Sequence, residues 1–195
     1  NGVFEIAGTD KRIALFELAQ LALSLDDSLS GEATFETHNH AFANGCHACE
    51  VEIDPETGVL EVANHVLITD VGNVVNPLIT SGQLHGGIAQ GLGQALWEKV
   101  VYEPDQGQLL SGSFMDYTLP RADDLCWLDV GFNEVACEDN PLGVKGAGEG
   151  PTTGSPPAAV SAVLDALAPL GIEHVDMPLT TERLWQYIRQ STSTP

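Results

Sequence analysis

The 195 residues carry 7 Lys and Arg against 28 Asp and Glu, a formal charge of −21, with 43% hydrophobic and 18% charged residues. Such a chain is too apolar for a disordered acidic tail and can bury a core as one domain or two small lobes; nothing in it could neutralise a row of nucleic-acid phosphates. No apolar run approaches the roughly 20 residues of a membrane span, no basic-then-apolar leader opens the chain, and an opening Asn in place of Met reads as a fragment or a trimmed chain.

The first periodic segment predicts a helix over Arg12 to Leu25, with Ile13, Phe16, Leu18 and Leu21 among its apolar positions and Asp10 as N-cap. Gly31 to Ala43 follow as an extended polar–apolar stretch. Two strands come next, Ala48 to Ile53 and Val59 to Asp70, joined as a hairpin by the turn Asp54-Pro55-Glu56-Thr57-Gly58. Cys46 and Cys49 have metal-like or redox-like spacing, but no second CxxC exists, and their separation of three sends them to opposite faces of a strand. Packing of buried thiols is the simpler reading. Four scattered cysteines make no disulfide scaffold and point to a reducing compartment, the cytoplasm.

Leu78 to Trp97 predict a helix despite Gly82, Gly86, Gly87, Gly91 and Gly93, each worth about 1 kcal/mol against helix relative to alanine. Helix propensity did not select them; close approach of another backbone or of a bulky ligand does, and helix-on-sheet packing competes with ligand contact as the reason. Gln83, His85 and Gln90 are its polar groups. Beyond it, Tyr102 to Gly107 form a turn, Gln108 to Tyr117 an extended run and Cys126 to Phe132 a strand. Ala158 to Leu167 follow as a helix, Leu170 to Val175 as a short strand and Thr181 to Arg189 as a last helix capped by Thr180 or Thr181. Strands and helices do not alternate strictly, which favours α+β, a mixed sheet packed with helices, over a doubly wound sheet.

The richest stretch is Gly143-Val144-Lys145-Gly146-Ala147-Gly148-Glu149-Gly150-Pro151-Thr152-Thr153-Gly154, a loop with many free amides. It lacks the GxxxxGK[ST] order of a phosphate loop, no helix is expected to start at once, and no clear strand feeds it as a dinucleotide fingerprint requires. Two readings stay open on these residues alone. Glu149 is either a solvated loop charge or a single carboxylate aimed at a cofactor held by the backbone.

Several ordered motifs then bear on that choice. Asp70-x-Gly72-x-x-x-Asn76-Pro77 is followed by Gly82-Gln83-x-x-Gly86-Gly87-x-x-Gln90-Gly91-x-Gly93, and later by Gly143 to Glu149. With Glu50 to Gly58, Gly112 to Tyr117, Leu119-Pro120 and Met177 to Thr180, this pattern resembles the molybdenum hydroxylases: xanthine dehydrogenase, aldehyde oxidoreductase and the large subunit of aerobic carbon monoxide dehydrogenase. The likeness is clearest over residues 44 to 185. The family's large subunit is several times longer, so the resemblance implies a C-terminal piece, with residues 1–30 a helix and linker belonging to an upstream portion and residues 31–195 a lobe of the molybdenum cofactor-binding domain.

The resemblance also implies roles. Glu149 matches the general base beside molybdenum, and Gln83 a glutamine that hydrogen-bonds the pterin. Lys145, Gly146, Ala147 and Gly148 match the loop against the cofactor, and Asn76 lies in a segment that can also touch it. No role carries over to His85 or Gln90. The implied cofactor is molybdenum–molybdopterin, with or without a cytosine nucleotide, and the implied chemistry is oxidation of an aldehyde, N-heterocycle or related small molecule with water as oxygen source. The 2Fe-2S clusters and FAD are expected in partner subunits or domains, since cluster-type cysteine spacings are absent here. Expected partners are the remainder of the large subunit, an iron–sulfur subunit and an FAD subunit. A non-catalytic cofactor-binding or assembly module of the same fold is the competing reading.

Overall fold

The computed structural model describes residues 2–25, 29–36 and 39–192, and these fall into two compact units, residues 1–37 and 38–195. In the first, strands β1 (Val3–Glu5) and β2 (Arg12–Ala14) pair antiparallel and lead into helix α1 (Leu15–Ser24). The helix starts later than its periodicity predicts because Ile13 is drawn into the strand pair opposite Phe4. Asp10 is therefore no N-cap. Instead the Glu17 carboxylate accepts from the Ala14 amide, at 3.3 Å, just ahead of the first turn.

The second unit is built on the expected hairpin. Strands β3 (Asn44–Ile53) and β4 (Leu60–Asp70) pair antiparallel with a register shift at Glu50/Val51. Asp54 fixes the turn by accepting from the Glu56 amide (2.9 Å) and the Thr57 hydroxyl (2.7 Å). Strand β5 (Leu128–Phe132) adds to the other side of β4 in parallel, giving a mixed sheet of order β3-β4-β5. The outer edge of β3 has no strand partner among the described residues.

Helices α2 (Pro77–Leu96), α3 (Gly150–Leu167) and α4 (Thr181–Thr192) supply the rest of the core. Leu84, Ile88, Leu92 and Leu96 of α2 meet Ala159, Val163 and Leu167 of α3, Leu184 and Ile188 of α4, and Val62 and Leu67 of the sheet. All are buried, with the 3.6-residue spacing on the helices that such a stripe requires. The arrangement is α+β, as expected.

Besides the late start of α1, and a turn within the expected extended run Gln108 to Tyr117 where the Asp116 and Tyr117 amides donate to the Ser113 carbonyl (3.0 and 2.8 Å), three segments differ from their sequence patterns. Residues 31–36 and 39–43 form no strand, and positions 37 and 38 of that stretch lie outside the described residues. Leu170 to Val175 also form none. Ile172 and Val175 insert singly into the core, and the Asp176 amide donates to the Tyr187 hydroxyl at 3.1 Å. The third difference matters most: α3 begins at Gly150, not Ala158. Pro151 sits in the first turn, where amides have no intrahelical acceptor to lose. Pro156 and Pro157 do remove donors from the helix interior, and contact with α2 outweighs that loss. A Cβ on Gly91 would lie 2.1 Å from the Ser155 hydroxyl, and one on Gly87 2.8 Å from Pro151 Cβ, so the α2 backbone lies directly against the side chains of the first turns of α3. Gly87 and Gly91 thus serve helix-on-helix packing, where the sequence had suggested helix on sheet or a ligand, while Gly82 and Gly86 have nothing within 4 Å of the place a side chain would take.

Candidate functional site

The 142–149 loop is tied down on one side and bare on the other. Asn140 holds Val144 through both ends of its carboxamide, Nδ2 donating to the Val144 carbonyl (2.9 Å) and Oδ1 accepting from the Val144 amide (3.0 Å). The Lys145 amide donates to the Val71 carbonyl at 2.8 Å, and Gly72 bridges Val144 in antiparallel fashion. Gly72 has φ +70°, and a Cβ there would lie 2.2 Å from the Gly143 carbonyl oxygen, so only glycine fits this crossing. From Gly146 onward the ties cease, and the space in front of Gly146 and Gly150 is open.

Glu149 occupies the N-cap position of α3. Its carbonyl accepts from the Thr153 amide and hydroxyl, both at 3.1 Å, while its side chain makes no capping bond to the helix and is exposed. The carboxylate is fixed by its backbone and left open at its oxygens. Gln83, on the exposed side of α2, faces the same stretch: a Cβ on Gly148 would stand 3.9 Å from the Gln83 amide nitrogen. Gly87, one turn further along α2, meets the Gly148 carbonyl at 3.3 Å by the same measure. Gln83 and Gly148, 65 positions apart in the chain, therefore lie close together.

The other expected site residues are placed differently. The Lys145 ammonium points inward and pairs with the Asp70 carboxylate at 2.6 Å, the two side chains only 13% and 5% exposed. The ammonium is thus engaged by Asp70 and the backbone amide by the Val71 carbonyl. Asn76 caps α2, its Oδ1 accepting from the Ile79 amide at 3.1 Å. Ala147 is half-buried. His85 is partly buried and its Nε2 meets the Leu128 carbonyl at 3.1 Å, whereas Gln90 is exposed and accepts from the Thr152 hydroxyl at 3.3 Å.

Two features were not singled out from sequence. Asp70 heads a motif, but its pairing with Lys145 spans 75 positions; the signal available was the scarcity of cations, 7 against 28 acids, which makes any buried one notable. The second is a histidine pair. His47 Nδ1 and His65 Nε2 lie 3.1 Å apart, His65 is fully buried, and its Nδ1 has no partner. The shared proton belongs on His65 Nε2, because the reverse tautomer would strand a buried N–H donor. Burial, and then the neighbouring His47, pushes the His65 pKa down to about 4, so the pair is neutral. His47 also borders a cavity of about 300 Å³ with Asn44, Thr69, Gly150 and Thr153, next to the start of α3.

Cys46 is exposed and Cys49 half-buried against the core, on opposite faces of β3 as their spacing predicts. Burial and the neighbouring Cys126 raise the Cys49 thiol to about 11. No group of three or more metal-ligating side chains occurs among the described residues, nor any helix long and apolar enough to cross a membrane.

Comparison with known proteins places the chain in a family. The family model described as the molybdopterin cofactor-binding domain matches residues 1–126. The chain is 32% identical to the carbon monoxide dehydrogenase large chain of Hydrogenophaga pseudoflava, over 96% of this chain and 24% of that one. It is 35% identical to the 6-hydroxypseudooxynicotine dehydrogenase complex subunit gamma of Paenarthrobacter nicotinovorans, over 94% and 24%. Among solved structures, quinoline 2-oxidoreductase from Pseudomonas putida 86 superposes with a TM-score of 0.82 at 35% identity, covering 97% of this chain and 25% of that one. A Cu,Mo-CO dehydrogenase gives a TM-score of 0.82 at 30% identity, covering 98% and 25%. The chain spans about a quarter of the length of these relatives.

Proposed function

This chain belongs to the molybdopterin cofactor-binding domain family of the molybdenum hydroxylases, and from that premise we propose that it grips the pterin cofactor of such an enzyme and presents Glu149 beside the metal as general base. The observation that carries this reading is the meeting of Gln83 with Gly148, one residue from an uncapped and exposed Glu149. The surroundings fit a large, flat, polar cofactor. Gly82 and Gly86, one turn apart on α2, have open space where side chains would stand, as do Gly146 and Gly150. Gln83 offers a carboxamide that both donates and accepts, matching the mixed donor–acceptor edge of a pterin. The glycine-rich backbone of 146–148 can approach closely and present amides to anionic groups.

When bound, the molybdenum–pterin group supplies the site that takes up the electrons of the oxidation. The residues of this chain do the rest of the work assigned to them here. Gln83 and the Gly146–Gly148 backbone hold and orient the cofactor. The Glu149 carboxylate, held by the N-terminus of α3, takes a proton from the attacking water at one of its oxygens. The substrate is a small aldehyde, N-heterocycle or related molecule. Iron–sulfur and FAD subunits, together with the remainder of the large subunit, complete the electron path. The cofactor carries its pterin with or without a cytosine nucleotide.

Glu149→Gln in the complete enzyme tests the assignment. It keeps the shape and removes the base, so turnover falls by roughly a hundredfold or more while molybdenum content stays near that of the parent. Wild-type turnover would remove Glu149 from the chemistry, and a parent protein holding no stoichiometric molybdenum would favour the non-catalytic module.

A further inference from the structure

We propose that Asp70 is a positioning residue for the Glu149 loop, anchoring it through Lys145, and that the Lys145 ammonium serves this anchor rather than the cofactor. The proposal rests on the reading of Glu149 as base.

Asp70 ends β4 with both carboxylate oxygens engaged. Oδ1 accepts from the Gly72 amide (2.8 Å) and the Val135 amide (3.2 Å), and Oδ2 from Lys145 Nζ (2.6 Å). One side chain therefore joins three separate segments: the exit of β4, the stretch just past β5, and the loop that leads to Glu149. Asn73 adds to the same crossing, its amide donating to the Gly143 carbonyl (2.9 Å) and its Nδ2 to the Leu142 carbonyl (2.8 Å). Downstream, Gly87 and Gly91 lock the first turns of α3. Glu149 is thus suspended between two fixed points, with only Gly146, Ala147 and Gly148 between the Lys145 anchor and itself.

Such a span has few internal restraints, three residues of which two are glycine. Its geometry is inherited from its ends. A buried ion pair with this many hydrogen bonds adds specificity of position, because each partner would be an uncompensated charge elsewhere. The Lys145 ammonium cannot serve an anionic cofactor group without giving up a carboxylate held at 2.6 Å and shielded from water. The motif residue Asp70, to which no chemistry was assigned, thereby acquires a purpose that the spacing of the two motifs hides.

The test compares Asp70→Asn, Lys145→Gln and the double variant in the full chain by amide hydrogen exchange. Asparagine retains an oxygen for the Gly72 and Val135 amides but offers an N–H to the ammonium, so it breaks the link selectively. Each single variant speeds exchange at Gly143, Val144 and Lys145 by about tenfold or more, with β4 and α2 changed by less than about twofold. The double variant is no worse than the worse single, as expected of two groups acting as one unit. In the complete, molybdenum-loaded enzyme, Asp70→Asn lowers kcat about tenfold at unchanged KM and molybdenum content, the pattern of a displaced catalytic group, and Asp70→Glu restores part of it. Unchanged loop exchange, additive effects in the double variant, or a full kcat in Asp70→Asn overturns the proposal. The exchange arm involves neither cofactor nor substrate, so it reports on the anchor even if Glu149→Gln were to show that the base lies elsewhere.

Discussion

The two halves of α2 use the same residue for opposite ends. Gly87 and Gly91, in its second half, are filled against α3, where a methyl group would collide with Pro151 or Ser155; Gly82 and Gly86, in its first half, face nothing within 4 Å. A glycine that packs and a glycine that faces open space are indistinguishable in sequence. The neighbour across the gap separates them, and here that neighbour is a helix whose own start is unreadable from propensity.

The contrast can be broken most severely at Gly91. Gly91→Val places branched carbon where Ser155 and Pro156 already sit, and the domain should lose about 3 kcal/mol, a large share of ordinary stability. Urea unfolding of the full chain measures this, and a loss below 1 kcal/mol would mean the helices separate easily. Acid probes the same packed side. His47 lies against Gly154 of α3 and bonds His65, whose folded pKa is depressed to about 4 from an ordinary value near 6.5. A depressed histidine binds its proton more readily when unfolded, so stability is full above pH 6.5 and falls as pH drops toward 4. That loss is roughly 2 to 3 kcal/mol. His65→Gln should flatten the slope of urea midpoint against pH in this window; an identical slope would assign the titration to another group. The Asp70–Lys145 anchor behaves differently, because the Lys145 hydrogen bond, followed by the Gly72 amide, depresses Asp70 to about 2. Its contribution persists above the ordinary carboxylate range and is lost only as pH falls from about 4 toward 2. The smallest effect sharpens the comparison. Gly86→Ala meets no atom and should raise stability by up to about 1 kcal/mol, yet the new methyl enters the open cradle and should lower molybdenum content of the complete enzyme. Stability gained with full metal loading would show that Gly86 does not face the cofactor.

The β3–β4 hairpin was legible because its turn chemistry and its alternation agree, and so was the opposite facing of Cys46 and Cys49. The nearness of Gln83 to Gly148 had no signal in the sequence, since no local rule joins positions 83 and 148. The start of α3 was not legible: Gly150, Pro151, Gly154, Pro156 and Pro157 all argue for a loop, and tertiary contact with α2 overrides them. Nor could pairing of Ile13 with Phe4 be foreseen, because a three-residue strand leaves no periodic signature against a following helix. Asp70 with Lys145 and His47 with His65 were missed for a shared reason. The first depends on which loop crosses the end of β4 and the second on the register of β3 against β4, and both are properties of the assembled sheet.

The outer edge of β3, which has no strand partner among the described residues, bears on how the chain behaves in isolation. Ten consecutive residues whose outward amides and carbonyls meet no strand invite a second molecule to dock edge to edge. Against that stands the charge of −21, which makes like molecules repel. Repulsion of this kind weakens as dissolved ions shorten its range to about 8 Å at physiological strength. Purified alone, the protein should therefore stay dispersed in dilute buffer and begin to self-associate as salt is added, the reverse of what attraction between opposite charges would give.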